Sequence, residues 1–180
     1  MPQGMSEEIF DIVTEDDSRI IGKAPRRLCH GDPSLIHRAV RIHIFHPENG
    51  GLLLQKRSMS KKIQPGKWDA AVGGHISAGE TVENALLREL EEELGIRLKE
   101  GEFLTPYYRI KVRNKVESEN IHAFYLFHKG PFVIQEEELD ETAFFTEETL
   151  RKMLAEKRGV FTPLLQEELE THLLGNFPRF

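Results

Sequence analysis

The chain has 180 residues, and its 30 acidic against 24 basic side chains give a formal charge of −6. Apolar residues make up 39% of it, enough for a sizeable core and too much for a disordered chain. The acidic balance argues against coating duplex nucleic acid, and the single cysteine, Cys29, excludes a disulfide framework or a cysteine-only zinc site.

Residues 1–34 read as an N-terminal extension packed on the main domain. Phe10 and Ile12 face Ile20 and Ile21 across an acidic Glu15–Ser18 turn, which predicts a hairpin. The main domain is expected over 35–180. From Arg38 to Phe45, Val40, Ile42 and Ile44 alternate with polar residues, the period of a half-buried strand. Asn49–Gly50 is a tight-turn dipeptide, so Gly51–Arg57 is expected to pair back as a hairpin. Ser58–Gly66 reads as a basic loop.

Glu80–Leu94 carries the strongest helix signal. Leu86, Leu87, Leu90 and Leu94 form an apolar stripe, Thr81 suits an N-cap and Gly95 a left-handed C-cap. Further strands are expected at Ile110–Val112, His122–Phe127 and Leu139–Phe145, with Glu136–Glu138 as a charged loop. A helix follows from Thr146 to about Glu156, and Thr162–Pro163 opens a last one that Gly175 ends. Strands mixed with a few helices indicate an α/β or α+β layered fold. No run approaches the roughly 18 apolar residues of a membrane span. Glu7, Glu8, Asp11 and Asp16 stand where a signal peptide needs an apolar core. A cytoplasmic protein without a membrane partner is the expectation.

On the central helix Glu89, Glu92 and Glu93 are three and four residues apart and share one face. Alone they repel, and a solvated acidic face is the plain reading. A hard divalent cation such as Mg²⁺ or Mn²⁺ would reverse the sign. Arg88 precedes them and suits a carboxylate fork.

The spacing around this helix is more specific. Gly74, five residues, Glu80, seven residues, Arg88–Glu89–Leu90, one residue, Glu92–Glu93, one residue, Gly95–Ile96 resembles the signature of the Nudix hydrolase superfamily with every fixed position filled. The resemblance spans roughly residues 35–160. It implies a Nudix fold, a mixed β-sheet sandwiched between helices. It also implies Mg²⁺- or Mn²⁺-dependent hydrolysis of a nucleoside diphosphate-X or another small organic diphosphate. Glu92 and Glu93 are then the expected metal ligands, with the Gly74 carbonyl. Glu89 is a third ligand or the base acting on water. Arg88 orients a carboxylate, and Glu80 and Gly95 hold the motif's shape.

A second resemblance lies upstream. Ser60–Trp68 (SKKIQPGKW) is similar to the isopentenyl-diphosphate isomerase branch of the superfamily. That branch builds a metal site from three histidines and two glutamates, and His30, His37, His75, Glu117 and Glu119 are the matching candidates here. Such mixed ligation suits Mn²⁺, Fe²⁺ or Zn²⁺ better than Mg²⁺. One departure counts against isomerase chemistry. The catalytic cysteine of those enzymes precedes the glycine–histidine pair, and this chain has Gly73 there.

Arg57, Lys61, Lys62 and Lys67 form one basic run and Arg109, Lys111, Arg113 and Lys115 another. Both are candidates for holding a diphosphate. Trp68, Tyr107, Tyr108 and Phe124 are candidates to stack on a base or to line an apolar pocket, and Trp68 also suits a core anchor. The expected function is a metal-dependent pyrophosphohydrolase acting on a small-molecule diphosphate. The alternatives are an isopentenyl-diphosphate isomerase and a Nudix module that senses a diphosphate without cleaving it. The acidic N-terminal segment suits either covering the site or forming a homodimer, and the sequence does not choose between the two.

Overall fold

The computed structural model describes residues 7–135, 139–156 and 159–180, so the charged loop expected at Glu136–Glu138 lies outside the described residues. The N-terminal hairpin forms as expected. β1 (Ile9–Val13) pairs antiparallel with β2 (Ile20–Pro25), and a short helix α1 (Arg26–Cys29) follows. In the turn, the Asp16 carboxylate accepts from the Thr14 hydroxyl at 2.6 Å and the Ser18 hydroxyl at 2.8 Å. Such local side-chain bonds favour turns over regular structure.

A seven-stranded mixed sheet forms the body. Its centre is β3 (Ile36–Phe45), which runs parallel to β8 (Ser118–Phe127) over its whole length. β4 (Leu52–Arg57) pairs antiparallel with β3 only at Ile44–Leu53 and Phe45–Leu52. Beyond that point the two strands part, so the expected hairpin is short. Two strands that the sequence pattern did not predict enter the gap. β5 (Trp68–Ala70) pairs with β4, and β6 (Val72–His75) pairs with β3 from Ala39–His75 to Ile42–Val72. β7 (Thr105–Arg113) borders β8, and β9 (Leu139–Phe145) borders β4.

Strand alternation gives β3 two different faces. Val40, Ile42 and Ile44 pack on α2 (Val82–Leu94) through Ala85, Leu86, Leu90 and Leu94. Leu87, expected in this stripe, is 40% exposed. It lies about 100° round the helix from Leu86, outside the line that Leu86, Leu90 and Leu94 make at i, i+4 spacing. The opposite face of the sheet is covered by the C-terminal elements. α3 (Glu147–Glu156) and α4 (Pro163–Glu168) bury Leu150 and Leu165 with Phe45, Leu52, Leu54 and Phe161. The expected last helix is not uniform: after Glu168 it widens into a π-turn, Leu169–Leu173. Thr162 caps α4 by accepting from the Leu165 N–H at 3.3 Å, with Pro163 at the first helical position.

Candidate active site

Both ends of α2 are fixed by the residues expected there. The Thr81 hydroxyl accepts from the Asn84 N–H at 3.1 Å, and Gly95 closes the helix at φ 66°. That geometry sets Glu89 and Glu93 against the two glycines of β6. A Cβ on Gly74 would lie 2.1 Å from the Glu89 carboxyl carbon, so the carboxylate rests directly on bare backbone. The Gly73 N–H donates to Glu93 Oε1 at 3.3 Å. Glu92 is the exposed member of the three.

Arg88 ties the loop before the helix to the carboxylates. Its Nε and Nη2 donate to the two Glu80 oxygens at 2.8 and 2.9 Å. Nη1 donates to Glu89 Oε1 at 2.6 Å, and Nη2 also reaches the His75 carbonyl at 3.0 Å. Glu80 in turn accepts from the Ser77 N–H at 2.9 Å. The hydrogen bonds from Arg88 hold the Glu80 carboxyl below the usual carboxylate range. Burial raises Glu89 despite Arg88. Burial pushes Glu93 up to about 8, with the charge of Glu89 adding to the effect. Carboxylates packed so closely that burial opposes their charge suit a hard divalent cation, so these residues fit the metal that the motif implies.

The five isomerase-like residues also converge. His30 follows α1, His37 and His75 stand on β3 and β6, and Glu117 and Glu119 lie at the start of β8. One ligand atom from each of His30, His37, His75 and Glu117 lies within 4.8 Å of the others. Glu119 Oε1 is 3.0 Å from His75 Nε2 and 3.4 Å from His37 Nε2. Register explains the meeting, because His37 sits beside Glu119 and Ala39 beside His75. The His37 Nδ1–H faces the Leu35 carbonyl at 3.3 Å, which leaves the Nε2 lone pair aimed at the cluster. Nε2 of His30 and of His37 is sealed from solvent with no hydrogen-bond partner, as a metal-ligand nitrogen would be. Burial lowers His30 to about 4, so its imidazole is neutral near pH 7. Phe10, read from sequence only as a hairpin residue, stacks on His37 and His75 at 4.9 and 4.7 Å.

Both clusters border one cavity of about 680 Å³. Arg57 and Lys61 line it, whereas Lys62, Lys67 and Arg109 do not. Arg109 is exposed on β7, and its neighbours Lys111 and Arg113 pair with Glu15 of the N-terminal turn. The aromatic candidates serve packing instead. Trp68 meets Phe145 edge-on at 4.9 Å, Phe124 joins the core under α2, and Tyr107 and Tyr108 pack towards the C-terminal helices. Arg41, Gln55 and Asp69 also line the cavity and carry no sequence signal of their own.

Comparison with known proteins agrees with this arrangement. The NUDIX domain family matches residues 35–165. The chain belongs to the Nudix family. It is 34% identical over 169 residues to Nudix hydrolase 3 of Arabidopsis thaliana, covering 88% of this chain but only 22% of that protein. It is 29% identical to an isopentenyl-diphosphate Delta-isomerase of Clavibacter michiganensis over 88% of this chain and 82% of the isomerase. A crystal structure from Deinococcus radiodurans shares the fold with a TM-score of 0.73 and 24% identity, covering 91% of this chain and 98% of that one. The chain is thus a Nudix hydrolase, an enzyme of pyrophosphate bonds with isomerase-like relatives. Among the described residues, no helix is long and apolar enough to cross a membrane. At the Nudix position where the isomerases carry their thiol, a Cβ on Gly73 would meet nothing closer than Arg41 Nη1 at 3.5 Å. There is room for a side chain, and the chain has none.

Proposed function

We propose that this Nudix hydrolase cleaves a small organic diphosphate in a reaction dependent on Mg²⁺ or Mn²⁺. The observation that carries the reading is the complete carboxylate set on α2, with Glu89 seated on Gly74 and clamped by Arg88, and Glu93 bonded to the Gly73 N–H. Glu92, Glu93 and the Gly74 carbonyl are the proposed metal ligands. A cation held there neutralises phosphate charge and acidifies water. Glu89 is the proposed base: its carboxyl, raised by burial, is suited to accept a proton from the attacking water. The water oxygen bonds to phosphorus, the bond to the leaving oxygen breaks, and that oxygen keeps the electron pair. Arg88 and Glu80 keep Glu89 in place throughout. Arg57 and Lys61, two of the cations that line the cavity, bind the diphosphate by charge-assisted hydrogen bonds.

The His30, His37, His75, Glu117 and Glu119 cluster supports a second reading, an isopentenyl-diphosphate isomerase. The Nε2 atoms of His30 and His37, which have no hydrogen-bond partner, fit Mn²⁺, Fe²⁺ or Zn²⁺. Gly73 offers nothing to protonate a carbon, so the cluster is assigned here to metal binding. The test is phosphorus NMR of the protein with Mg²⁺ or Mn²⁺ and a mixture of nucleotide sugars, dinucleotides and isopentenyl diphosphate. Loss of one diphosphate signal and growth of monophosphate is expected, both absent with Glu92→Gln. Unchanged phosphorus spectra with migration of the isopentenyl double bond in proton spectra would replace hydrolase by isomerase.

A further inference from the structure

The residue beside Gly73 is an arginine with two different sides. Arg41 projects from β3 on the face covered by the C-terminal helices and is 7% exposed. Its Nε donates to both oxygens of Glu168 at 2.8 Å. Its Nη2 donates to Asp69 Oδ1 at 2.7 Å. Glu168, the last residue of α4, is fully buried and accepts a third bond from the Tyr108 hydroxyl at 3.0 Å. Asp69 Oδ1 is held by the Ala70 N–H at 2.8 Å and the Thr162 hydroxyl at 3.0 Å. The Nε–Nη2 edge of the guanidinium is therefore fixed by two carboxylates that are themselves fixed.

The other side is different. Nη1 has no hydrogen-bond partner among the described residues, and it is not among the polar atoms sealed from solvent without one. It lies 3.5 Å from the position of a Cβ on Gly73, and both residues line the cavity. Gly73 is also the residue whose N–H holds Glu93. Joining α4 to the sheet does not require this charge. Apolar side chains of similar volume serve as well as a buried ion pair, and often better. A guanidinium anchored along one edge and open along the other is built to donate at a fixed point.

We infer that Arg41 is a substrate-contacting residue whose Nη1 donates to an anionic oxygen of the bound diphosphate, and that Glu168 is the positioning residue that aims it. The inference rests on the proposed diphosphate chemistry and adds an anchor from the sheet face opposite α2. It also gives the space beside Gly73 an occupant: an oxygen of the substrate lies where the isomerases place a thiol.

The test uses methylenediphosphonate, an uncleavable diphosphate, with Mg²⁺ and the full chain. Calorimetry gives its affinity for wild type, Arg41→Lys and Glu168→Gln, and ¹⁵N spectra follow the Arg41 guanidinium in wild type. The expected result is a downfield shift of the Arg41 Nη protons on binding. Arg41→Lys is expected to lose about tenfold to hundredfold in affinity, the range for a hydrogen bond to a charged group. Glu168→Gln leaves the contact in place but loosens it, so its loss is smaller and the Arg41 signals broaden. An unmoved Arg41 signal with full affinity in Arg41→Lys would overturn the inference and leave Arg41 a structural ion pair. Should Arg41→Lys fail to fold, the wild-type spectra decide alone. No binding by wild type at all would instead overturn the diphosphate reading underneath, so the two failures are distinct.

Discussion

Gly74 and Glu89 occupy one space: the Cβ that any other residue would carry at 74 falls 2.1 Å from the Glu89 carboxyl carbon and from its Oε1. Gly74→Ala must therefore push the carboxylate out of its seat while leaving β6 paired. Misplacement of a reacting group by about 1 Å can cost about hundredfold in rate, so kcat should fall by that order. The melting temperature should change little, because the carboxylate has space to move towards the cavity. Steady-state rates and a thermal melt on the same preparation check both halves.

At Gly73 the outcome differs, because a new Cβ meets only ordinary contacts. Gly73→Cys should fold and present a thiol inside the cavity. Thiol titration of the native variant should count one reactive group, since Cys29 is fully buried. Wild type should produce no double-bond migration in isopentenyl diphosphate. Migration catalysed by wild type would mean that isomerisation here needs no thiol.

Metal binding at the histidine cluster should stabilise the fold. At a free Mn²⁺ concentration about a hundred times the dissociation constant, the gain is about 2.7 kcal/mol. His37→Ala should abolish the rise in melting temperature that this site gives, and Glu92→Gln should keep it. An equal rise in wild type and His37→Ala would show that the cluster holds no ion.

The buried carboxylate of α4 predicts an acid limit. Burial opposes the charge of Glu168, but Arg41 and His43 outweigh it and hold the carboxyl at about 2, below its ordinary 4.5. A lowered pKa in the folded state contributes stability that is present above about 4.5 and lost as pH falls towards about 2. The loss is roughly 3 kcal/mol at 1.4 kcal/mol per unit. Melting temperature against pH should steepen over that window in wild type and be flatter in Glu168→Gln.

Local signals made α2 and its carboxylates legible. Leu86, Leu90 and Leu94 repeat at helical spacing, Thr81 and Gly95 mark the ends, and the acidic face follows from counting. The five metal-ligand candidates were legible only through a family likeness, since His37 and Glu119 meet across β3 and β8 by register. Strands β5 and β6 were not legible. Gly73 and Gly74 interrupt any alternation, and these strands form because β3 and β4 part and leave edges to pair. Arg41 and Glu168 are 127 residues apart, and alternation alone gives only the face on which the arginine lies. Lys62, Lys67 and Arg109 were plausible by charge alone, and loop and strand direction decide that they miss the cavity.

The first 34 residues have a further consequence for how the enzyme is cut and compared. The family match begins at residue 35, yet His30 and the Phe10 ring that stacks on two histidines precede it. The same hairpin is latched to the sheet by Asp17 on His122 at 2.6 Å, and to the turn before α2 by Asp11, which accepts from the Gly79 N–H at 2.8 Å. A fragment trimmed to the recognisable family boundary would keep every carboxylate of α2. It would also lack one of the four residues of the proposed ligand set and the aromatic wall behind it, so the family match and the proposed metal site have different N-terminal borders.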